Sequence, residues 1–387
     1  MTLAIQIQGV AVGWQIYEIT HDPLSLGLIG LSEAIPAITV SLYAGHLADV
    51  SDRRRIILFC ASTLLACACA LFAFSLDVSS VLQTFGAAPV YGVIFVSGIA
   101  RGFLSPANFS FMPQLVPREL YTNAITWNST IWEAASVAGP AAGGILIEWA
   151  GLRTTYMTDA VLVIAGLTCY AMVHRKPIPE GTRDQGILEN IRDGVRFVFR
   201  HQLILAAISL DLFAVLFGGA VALLPIFADE ILQAGANGFG ILRAAPAAGA
   251  LVMAVWLSYR PIRYRPGRVL LWCVAGFGVC MIAFALSTSF WLSVAILVMS
   301  GVFDCVSVIL RGILIHTQTP DHMKGRVAAV NSMFIGSSNE IGAFESGVMA
   351  RAMGVVPSVV FGGVMTLVVT AVTAWKAVTL RRIKLLR

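Results

Sequence analysis

The sequence of 387 residues has few charged side chains. Only 12% of the residues are Asp, Glu, Lys or Arg, whereas a soluble domain has about 25%. Hydrophobic residues account for 58% of the chain, and the mean hydropathy is +0.82. The short alternating strands of a membrane β-barrel are absent, but many apolar runs reach the ~20 residues that a helix needs to cross a bilayer. The sequence therefore predicts an all-α membrane protein with several transmembrane helices.

The sequence also lacks the motifs of several kinds of chemistry. It contains no nucleotide-binding loop, no metal-ligand spacing and no arrangement typical of a catalytic nucleophile. Its seven cysteines all lie in apolar stretches without a CxxC pair, which favours packing over disulfide or metal roles. We therefore expect no enzyme, no cofactor and no metal. An ion gradient, worth about 23 kcal/mol per volt per charge, is the expected energy source for any transport.

The apolar runs predict twelve membrane spans in two groups of six. The spans cover about 2–18, 24–46, 55–76, 81–105, 122–148, 153–173, 203–229, 238–258, 268–286, 290–314, 326–351 and 355–376. The predicted organisation is an N-terminal six-helix bundle at 1–173, a linker at 174–202, and a C-terminal six-helix bundle with a basic tail at 203–387. After two prolines, the linker places Ile187, Ile191, Val195 and Val198 on one face. That spacing predicts an amphipathic helix along the cytoplasmic surface.

Basic residues alternate between the loops. Alternate loops and the C-terminal tail are rich in arginine and lysine, whereas the intervening loops carry only Arg153 and Arg351. This bias predicts a cytoplasmic C-terminus in a bacterial inner membrane, and it explains the net charge of +5 without nucleic acid. Span 1 begins at Met1 with no basic flank and reaches only about 25 Å. We therefore expect span 1 to be truncated by a misassigned start codon, in preference to a cleaved signal peptide.

Ionisable residues inside the spans are costly, at roughly 2.5–3.5 kcal/mol each, and they are unevenly distributed. Spans 3, 9 and 12 have none in their interiors, and span 6 has only Asp159 near its outer end. A carboxylate that moves between water and an arginine-paired apolar site changes its affinity for protons. The candidates for proton coupling or for a cavity are Glu33, Arg101, Asp211, Asp304, Arg311 and Glu340. Static ion pairing remains the alternative for each.

Polar and aromatic residues on the same spans are candidates for contact with a substrate. Arg101 and Asn108 share one face of span 4, and Asp304, Ser307 and Arg311 share one face of span 10. The candidates for the substrate cavity are Gln8, Gln15, Asn108, Phe213, Phe217 and Ser307.

An internal repeat relates the two halves at an offset of 203 residues. The matching positions include Gly98 with Gly301, Gly139 with Gly342, Gly144 with Gly347 and Gly151 with Gly354. The repeat aligns spans 4–5 with spans 10–11 without a gap. Parallel six-helix repeats are one of the architectures of secondary transporters.

Residues 45–55, GHLADVSDRRR, gather five charges in a chain that is otherwise poor in them. The stretch resembles the signature between helices 2 and 3 of the major facilitator superfamily. The resemblance implies that Gly45 allows close helix approach, that Asp49 steadies one conformation of the transport cycle, and that Arg53 and Arg54 hold the loop in the cytoplasm. Asp52 replaces a glycine of the general pattern, as in the subgroup that includes the enterobactin exporter and macrolide-efflux proteins. A charge cluster that only sets topology is the alternative.

A second motif is the run Gly139-Pro140-Ala141-Ala142-Gly143-Gly144. It resembles the GPxxGG core of the antiporter motif in drug-exporting facilitators, although Thr126 and Ala135 replace the glycines upstream. The glycines, with neighbouring alanines, create a face of small side chains that permits close helix contact. Two interpretations stay open: a hinge or gate between the halves, or tight packing alone.

The resemblance covers nearly the whole chain. It implies two six-helix bundles that alternate between inward-open and outward-open states, with spans 3, 6, 9 and 12 facing lipid. It also implies export of a small amphipathic molecule, such as a drug or a siderophore, by proton antiport, and Arg101 resembles the helix-4 arginine linked to proton transfer in such antiporters. We expect the small molecule, protons and membrane lipid as partners of a monomer, and no nucleic acid. Proton-coupled uptake of a metabolite and a non-transporting receptor or assembly partner are the alternatives.

Overall fold

A computed structural model describes residues 1–76, 80–174, 187–260, 265–320 and 323–382. Every regular element in these ranges is helical, which confirms the predicted all-α class. The α-helices are α1 Thr2–Thr20, α2 Pro23–Val50, α3 Arg53–Phe74, α4 Ser80–Phe85, α5 Ala88–Phe111, α6 Tyr121–Met172, α7 Ile187–Arg200, α8 Gln202–Phe217, α9 Leu224–Ile226, α10 Gly235–Tyr259, α11 Pro266–Leu286, α12 Phe290–Gln318, α13 Lys324–Met353, α14 Val355–Lys376 and α15 Val378–Arg382. Short 3₁₀ turns at Met112–Gln114, Arg118–Leu120 and Ala220–Leu223, and a π turn at Phe227–Ile231, complete the order.

Local chemistry explains where several helices begin. The Asp22 carboxylate caps α2 by accepting a hydrogen bond from the backbone N–H of Leu24 (3.4 Å), and Pro23 occupies the first helical position. Asp52 caps α3 in the same way, with the N–H groups of Arg54 and Arg55 at 3.1 and 3.3 Å. The Asp52 carboxylate within the charged stretch 45–55 therefore stabilises the start of α3.

Nine helical stretches in the described part of the chain are long and apolar enough to cross a membrane. They begin at Pro23, Arg53, Ala88, Trp127, Gln202, Gly235, Pro266, Phe290 and Val355. The stretch from Trp127 runs to Met172 and contains predicted spans 5 and 6. The count of twelve spans stays a prediction.

Four predicted spans differ in detail from the structure. The run predicted from residue 81 is divided into α4 and α5 by a turn at Gly86, whose φ is 58°. Spans 5 and 6 join as α6, which is kinked at Gly151. Span 7 is interrupted after Phe217, where Gly218 and Gly219 leave helical geometry before the 3₁₀ turn. Glycine lacks a Cβ, so it accommodates these backbone changes at low steric cost.

The internal repeat has a clear structural counterpart. Gly151 and Gly354, which are equivalent by the repeat, adopt φ values of 75° and 94°, and each separates two helical stretches. Gly98 in α5 lies against the backbone of α2, where a Cβ would come within 2.8 Å of the Glu33 carbonyl oxygen. Its equivalent, Gly301 in α12, lies against the Pro246 carbonyl of α10. Equivalent glycines therefore occupy equivalent positions in the two halves.

The chain forms two compact units, of which unit 1 comprises Met1–Asp184 and Pro225–Ala244. Within unit 1, α1 packs on α6, α2 packs on α5, and α3 contacts both α5 and α6. A core cluster joins Ile57 and Leu64 of α3 to Leu104 of α5 and Val163 of α6. These contacts bring α1, α2, α5 and α6 together around the polar residues described below.

Unit 2 comprises Gln185–Leu224 and Ala245–Arg387. Here α11 packs on α12 and α14, and α8 packs on α13 and α14. Helix α7 occupies the position of the predicted amphipathic helix, and it contacts α8 and α13. Val198 of α7 is fully buried beside Ile204, Ile315 and Val327. The side chains of Ile187 and Ile191 and the two linker prolines lie outside the described residues.

Candidate functional site

Unit 1 contains a continuous chain of four polar side chains from four helices. The Arg101 guanidinium of α5 forms an ion pair with the Glu33 carboxylate of α2. Arg101 also donates a hydrogen bond to Gln8 Oε1 of α1 at 3.3 Å. Gln8 Nε2 in turn donates to Asp159 Oδ2 of α6 at 3.1 Å. The order Glu33, Arg101, Gln8, Asp159 therefore links helices that are distant in sequence.

Asp159 is the most deeply buried member of this chain. Its residue surface is 1% exposed, and its Oδ1 atom has no hydrogen-bond partner in the described part of the structure. In the sequence, Asp159 stands out only as an exception in a span that is otherwise bare of charge. That isolation was the available signal, because a lone carboxylate in an apolar helix needs a partner from elsewhere. The partner itself depends on tertiary packing.

Gln8 and Gln15, predicted to contact a substrate, both join α1 to α6. They are two helical turns apart on one face of α1, and both are buried. The Tyr156 hydroxyl of α6 donates a hydrogen bond to Gln15 Oε1 at 2.6 Å. These bonds to protein groups give both glutamines a structural role, and contact with a substrate stays a prediction.

Unit 2 contains a second buried ion pair, between Asp211 of α8 and Arg311 of α12. Their side chains are only 8% and 3% exposed. Two predicted residues from separate spans are therefore brought into direct contact. Breaking such a pair leaves one charge buried without compensation, which typically costs about 3–5 kcal/mol.

A small recess, open to solvent and with an enclosed volume of about 10 Å³, lies beside this pair within unit 2. Its lining residues are Asp211, Ala214, Val215, Cys273, Val274, Phe277, Phe303, Asp304 and Ser307. Three predicted residues, Asp211, Asp304 and Ser307, therefore share one recess. Its enclosed volume is enough for about one water molecule, whereas sites for drug-sized ligands usually measure about 300–1,000 Å³. A drug-sized ligand therefore does not fit the recess in this conformation.

Phe213 and Phe217 lie on α8 immediately before its interruption. Their rings stack with centroids 6.4 Å apart, and Phe217 meets Phe361 of α14 edge to face. The ring of Phe213 is exposed. Both side chains therefore lie in the C-terminal part of α8, within six residues of Asp211.

Two other predicted residues, Asn108 and Glu340, are not among the residues that line the recess. Asn108 is half-buried and forms a side-chain hydrogen bond with Tyr170 of α6. Glu340 lies half-buried in α13 and does not line the recess. Neither residue belongs to the chain that contains Asp159, so their predicted roles stay predictions.

The glycine-rich motif in α6 forms two close helix crossings within unit 1. Gly139 lies against Gln6 of α1. A Cβ on Gly144 would come within 2.8 Å of the Gly240 Cα atom of α10, and a Cβ on Gly240 within 2.5 Å of the Pro140 carbonyl oxygen. Real Cβ atoms are not found at such distances. The crossing of α6 with the start of α10 therefore requires glycine on both helices.

Segment 225–244 also attaches to α1, which the sequence analysis did not anticipate. The Tyr17 hydroxyl donates to Asp229 Oδ2 at 2.8 Å, and Glu230 Oε1 lies at 3.2 Å. Trp14 stacks on Phe239 with ring centroids 6.1 Å apart. These contacts, together with the glycine crossing, connect the C-terminal part of α1 and the middle of α6 to a segment that follows the interruption in span 7.

The charged corner shows a different set of contacts. Arg54 Nη2 donates a hydrogen bond to the Ala171 carbonyl oxygen near the end of α6, at 2.6 Å. Arg53 is half-buried and has interaction partners. Gly45 and Asp49 lie in α2, but their side-chain environments are outside the described residues. The predicted conformational role of this motif stays a prediction.

Comparison with known proteins adds independent information. The sequence profile of the family described as transmembrane secretion effector matches residues 2–385. The chain is 25% identical over 386 residues to the enterobactin exporter EntS of Escherichia coli O1:K1, covering 99% of this chain and 90% of the relative. It is 27% identical over 389 residues to EntS of Shigella boydii serotype 4, with the same coverage.

Solved structures of transporters have the same fold. The nucleoside transporter NupG superposes with a TM-score of 0.73 at 14% identity, over 97% of both chains. The POT family transporter PepTSo superposes with a TM-score of 0.74 at 13% identity, over 98% of this chain and 97% of that one. The predicted major facilitator fold is thereby confirmed. The chain belongs to the transmembrane secretion effector family of the major facilitator superfamily, and it is a multi-pass membrane transporter.

Proposed function

We propose that this transporter exports a small amphipathic molecule across a bacterial inner membrane by proton antiport with alternating access. The observation that carries the proposal is the presence of a guanidinium–carboxylate pair in each unit, Glu33–Arg101 and Asp211–Arg311. Each charge inside a span costs roughly 2.5–3.5 kcal/mol. A helix that needed only packing would use apolar residues at these positions.

Each pair offers a simple way to couple a proton to a change of shape. Protonation of Asp211 would remove its negative charge and end its attraction for Arg311, which weakens the contact between α8 and α12. Protonation of Glu33 would likewise release Arg101, whose guanidinium also bonds to Gln8. Binding of a proton in one state and its release in the other is what antiport requires.

The contacts of segment 225–244 support the alternating-access part of the proposal. This segment is held to α1 by Tyr17 and to α6 by the glycine crossing. Alternating access requires such a seal at one end to open while another closes. The seal consists of the Tyr17 hydrogen bonds, the glycine crossing and the stacked rings of Trp14 and Phe239, so these are the contacts that opening would break.

The relatives named enterobactin exporters support export as the direction. The lining of the recess in unit 2, which combines two phenyl rings with two carboxylates and a hydroxyl, suits the chemistry of an amphipathic substrate. The recess would have to widen during the transport cycle to admit one. The monomer in its lipid membrane, a small-molecule substrate and protons are the partners in this proposal.

A comparison of a deletion strain with its parent tests direction and energy source together. Metabolites inside and outside the cells are compared by mass spectrometry, with and without an uncoupler. For export, one compound accumulates inside the deletion strain, and the uncoupler reproduces that accumulation in the parent. Complementation with D211N and D304N asks whether the recess is needed, and the exposed-surface variant R265Q serves as the control.

Other outcomes would overturn the proposal. A compound that is depleted inside the deletion strain indicates uptake. A difference between strains that the uncoupler leaves unchanged excludes coupling to the proton gradient. Full complementation by alanine at Asp211 and at Asp304 favours a receptor or assembly partner that does not transport.

A further inference from the structure

Helix α7, which connects the two halves of the sequence, has two faces of opposite character. The inner face contains Gly194 and Val198, both buried against unit 2. A Cβ on Gly194 would come within 3.0 Å of the Arg326 carbonyl oxygen. Arg326 Nη1 also donates to Asp193 Oδ2 at 3.1 Å. These contacts fix the rotation of α7 about its own axis.

The opposite face is exposed and basic. We call Arg192, Arg196, Phe199 and Arg200 the outer face of α7. The three arginines are spaced i, i+4, i+8, which places them in one row along the helix. All three are exposed, and Phe199 beside them is 57% exposed. A solvated helix face has no need for a large exposed aromatic ring among its charges.

The ends of the neighbouring helices place α7 at the boundary between hydrocarbon and water. Helix α8 begins at Gln202, two residues after α7 ends. The inner face of α7 contacts Ile315 near the end of α12 and Val327 near the start of α13. Because these helices begin or end at the same level, α7 lies where phospholipid headgroups are found.

We propose that the outer face of α7 is a binding surface for anionic phospholipids. The planar guanidinium groups hold the lipid phosphates by paired hydrogen bonds, and Phe199 inserts toward the acyl chains. Arginine suits this role because its guanidinium is weakly hydrated and matches phosphate in a bidentate geometry. An interfacial amphipathic helix with basic and aromatic residues binds anionic membranes in this way. The inference does not depend on the transported substrate.

The test measures lipid binding to the purified full-length protein by native mass spectrometry. The protein is titrated with phosphatidylglycerol and, separately, with phosphatidylcholine. Each basic residue near an anionic surface contributes about a fivefold gain in affinity. We therefore expect each single change among R192Q, R196Q and R200Q to weaken phosphatidylglycerol binding about fivefold. The triple variant should lose roughly 100-fold, with phosphatidylcholine binding unchanged.

Matched variants separate a site from a general charge effect. R260Q/R265Q/R268Q removes three exposed arginines from the α10–α11 connection and the first turn of α11, in the same unit, and should lose only a few-fold. R192K/R196K/R200K keeps the charge without the guanidinium fork and should fall between the parent and the glutamine triple. Thermal melting in detergent verifies that each variant is folded, and a variant that fails is replaced by its single changes.

Three results would overturn the proposal. Equal losses in the two glutamine triples show a response to net charge, without a site on α7. Full displacement of the lipid by millimolar inorganic phosphate identifies a site for soluble phosphate. Unchanged selectivity in R192Q/R196Q/R200Q removes any role of the outer face in lipid binding.

Discussion

The two ion pairs inside the predicted spans use the same chemistry in different surroundings. In unit 1 the side chains of Arg101 and Glu33 are 24% and 27% exposed, and Arg101 is also bonded to Gln8. In unit 2 the side chains of Arg311 and Asp211 are 3% and 8% exposed. When the Glu33–Arg101 pair opens, water can partly solvate the separated charges. In the Asp211–Arg311 pair, each buried charge depends on the other member for its compensation.

Because of this difference, we expect the two pairs to have different roles in the proposed transport cycle. The chain from Glu33 to Asp159 gives Arg101 an amide and a carboxylate to bond with, so a change at one member is transmitted to the next. The pair in unit 2 lies beside the recess, where a ligand would meet it directly. Unit 1 is thus suited to relay a protonation event, and unit 2 to sense the substrate.

The largest expected effect is on unit 2. R311A leaves Asp211 buried without its guanidinium, so we expect a loss of about 3–5 kcal/mol in the free energy of unfolding. Titration of the detergent-solubilised protein with sodium dodecyl sulfate measures this loss. The double variant R311A/D211A should recover a large part of it, because no uncompensated charge remains. A double variant as unstable as R311A would show that packing, and not charge, dominates at this site.

The glycine crossings should respond alike in the two units, in contrast to the ion pairs. We expect G98V and G301V each to lose about 3 kcal/mol of unfolding free energy, at the upper end of the range for overpacking. In both cases the added side chain meets the backbone of a neighbouring helix. G92A is the control, since nothing lies within 4 Å of a Cβ at that position of α5. If G301V kept the unfolding free energy of the parent protein, Gly98 and Gly301 would not be structurally equivalent.

The repeat was readable from the sequence because glycine is required where two backbones meet. Gly98 and Gly301 lie at such crossings, whereas Gly151 and Gly354 adopt positive φ values at breaks between helical stretches. Burial of charge was also readable, since a charge in an apolar span must be paired. Asp304, Ser307 and Arg311 all lie in α12, and Asp304 and Ser307 line the same recess, while their predicted roles stay predictions.

The partners of the charged residues could not be read from the sequence. Gln8 and Asp159 are separated by 151 positions, and their hydrogen bond exists only because α1 packs on α6. The attachment of Tyr17 to Asp229 is likewise a product of tertiary packing. The interruption of span 7 was hidden because Gly218 and Gly219 stand in an unbroken apolar run. Hydropathy identifies segments that favour a membrane, but it carries no information on backbone dihedral angles.

A smaller effect is expected for the ion pair of unit 1. E33Q keeps the shape of the side chain and removes its charge, while Arg101 retains its bond to Gln8. Because this pair is partly solvated, we expect a loss of only about 1.5 kcal/mol, at the lower end of the range for hydrogen bonds to charged groups. The same detergent titration that is used for R311A provides the comparison. A loss as large as that of R311A would mean that exposure does not distinguish the two pairs.

The smallest effect is expected where unit 1 has a neutral polar contact. Y156F removes the hydroxyl that bonds to Gln15 Oε1, and it leaves this buried acceptor without that donor. A loss of about 1 kcal/mol in the free energy of unfolding is expected for one neutral hydrogen bond. The control is Y43F, since Tyr43 is 60% exposed and its hydroxyl can bond to water or lipid headgroups. If Y156F instead abolished transport without loss of stability, the bond between α1 and α6 would belong to the transport machinery, and Gln15 would act beyond packing.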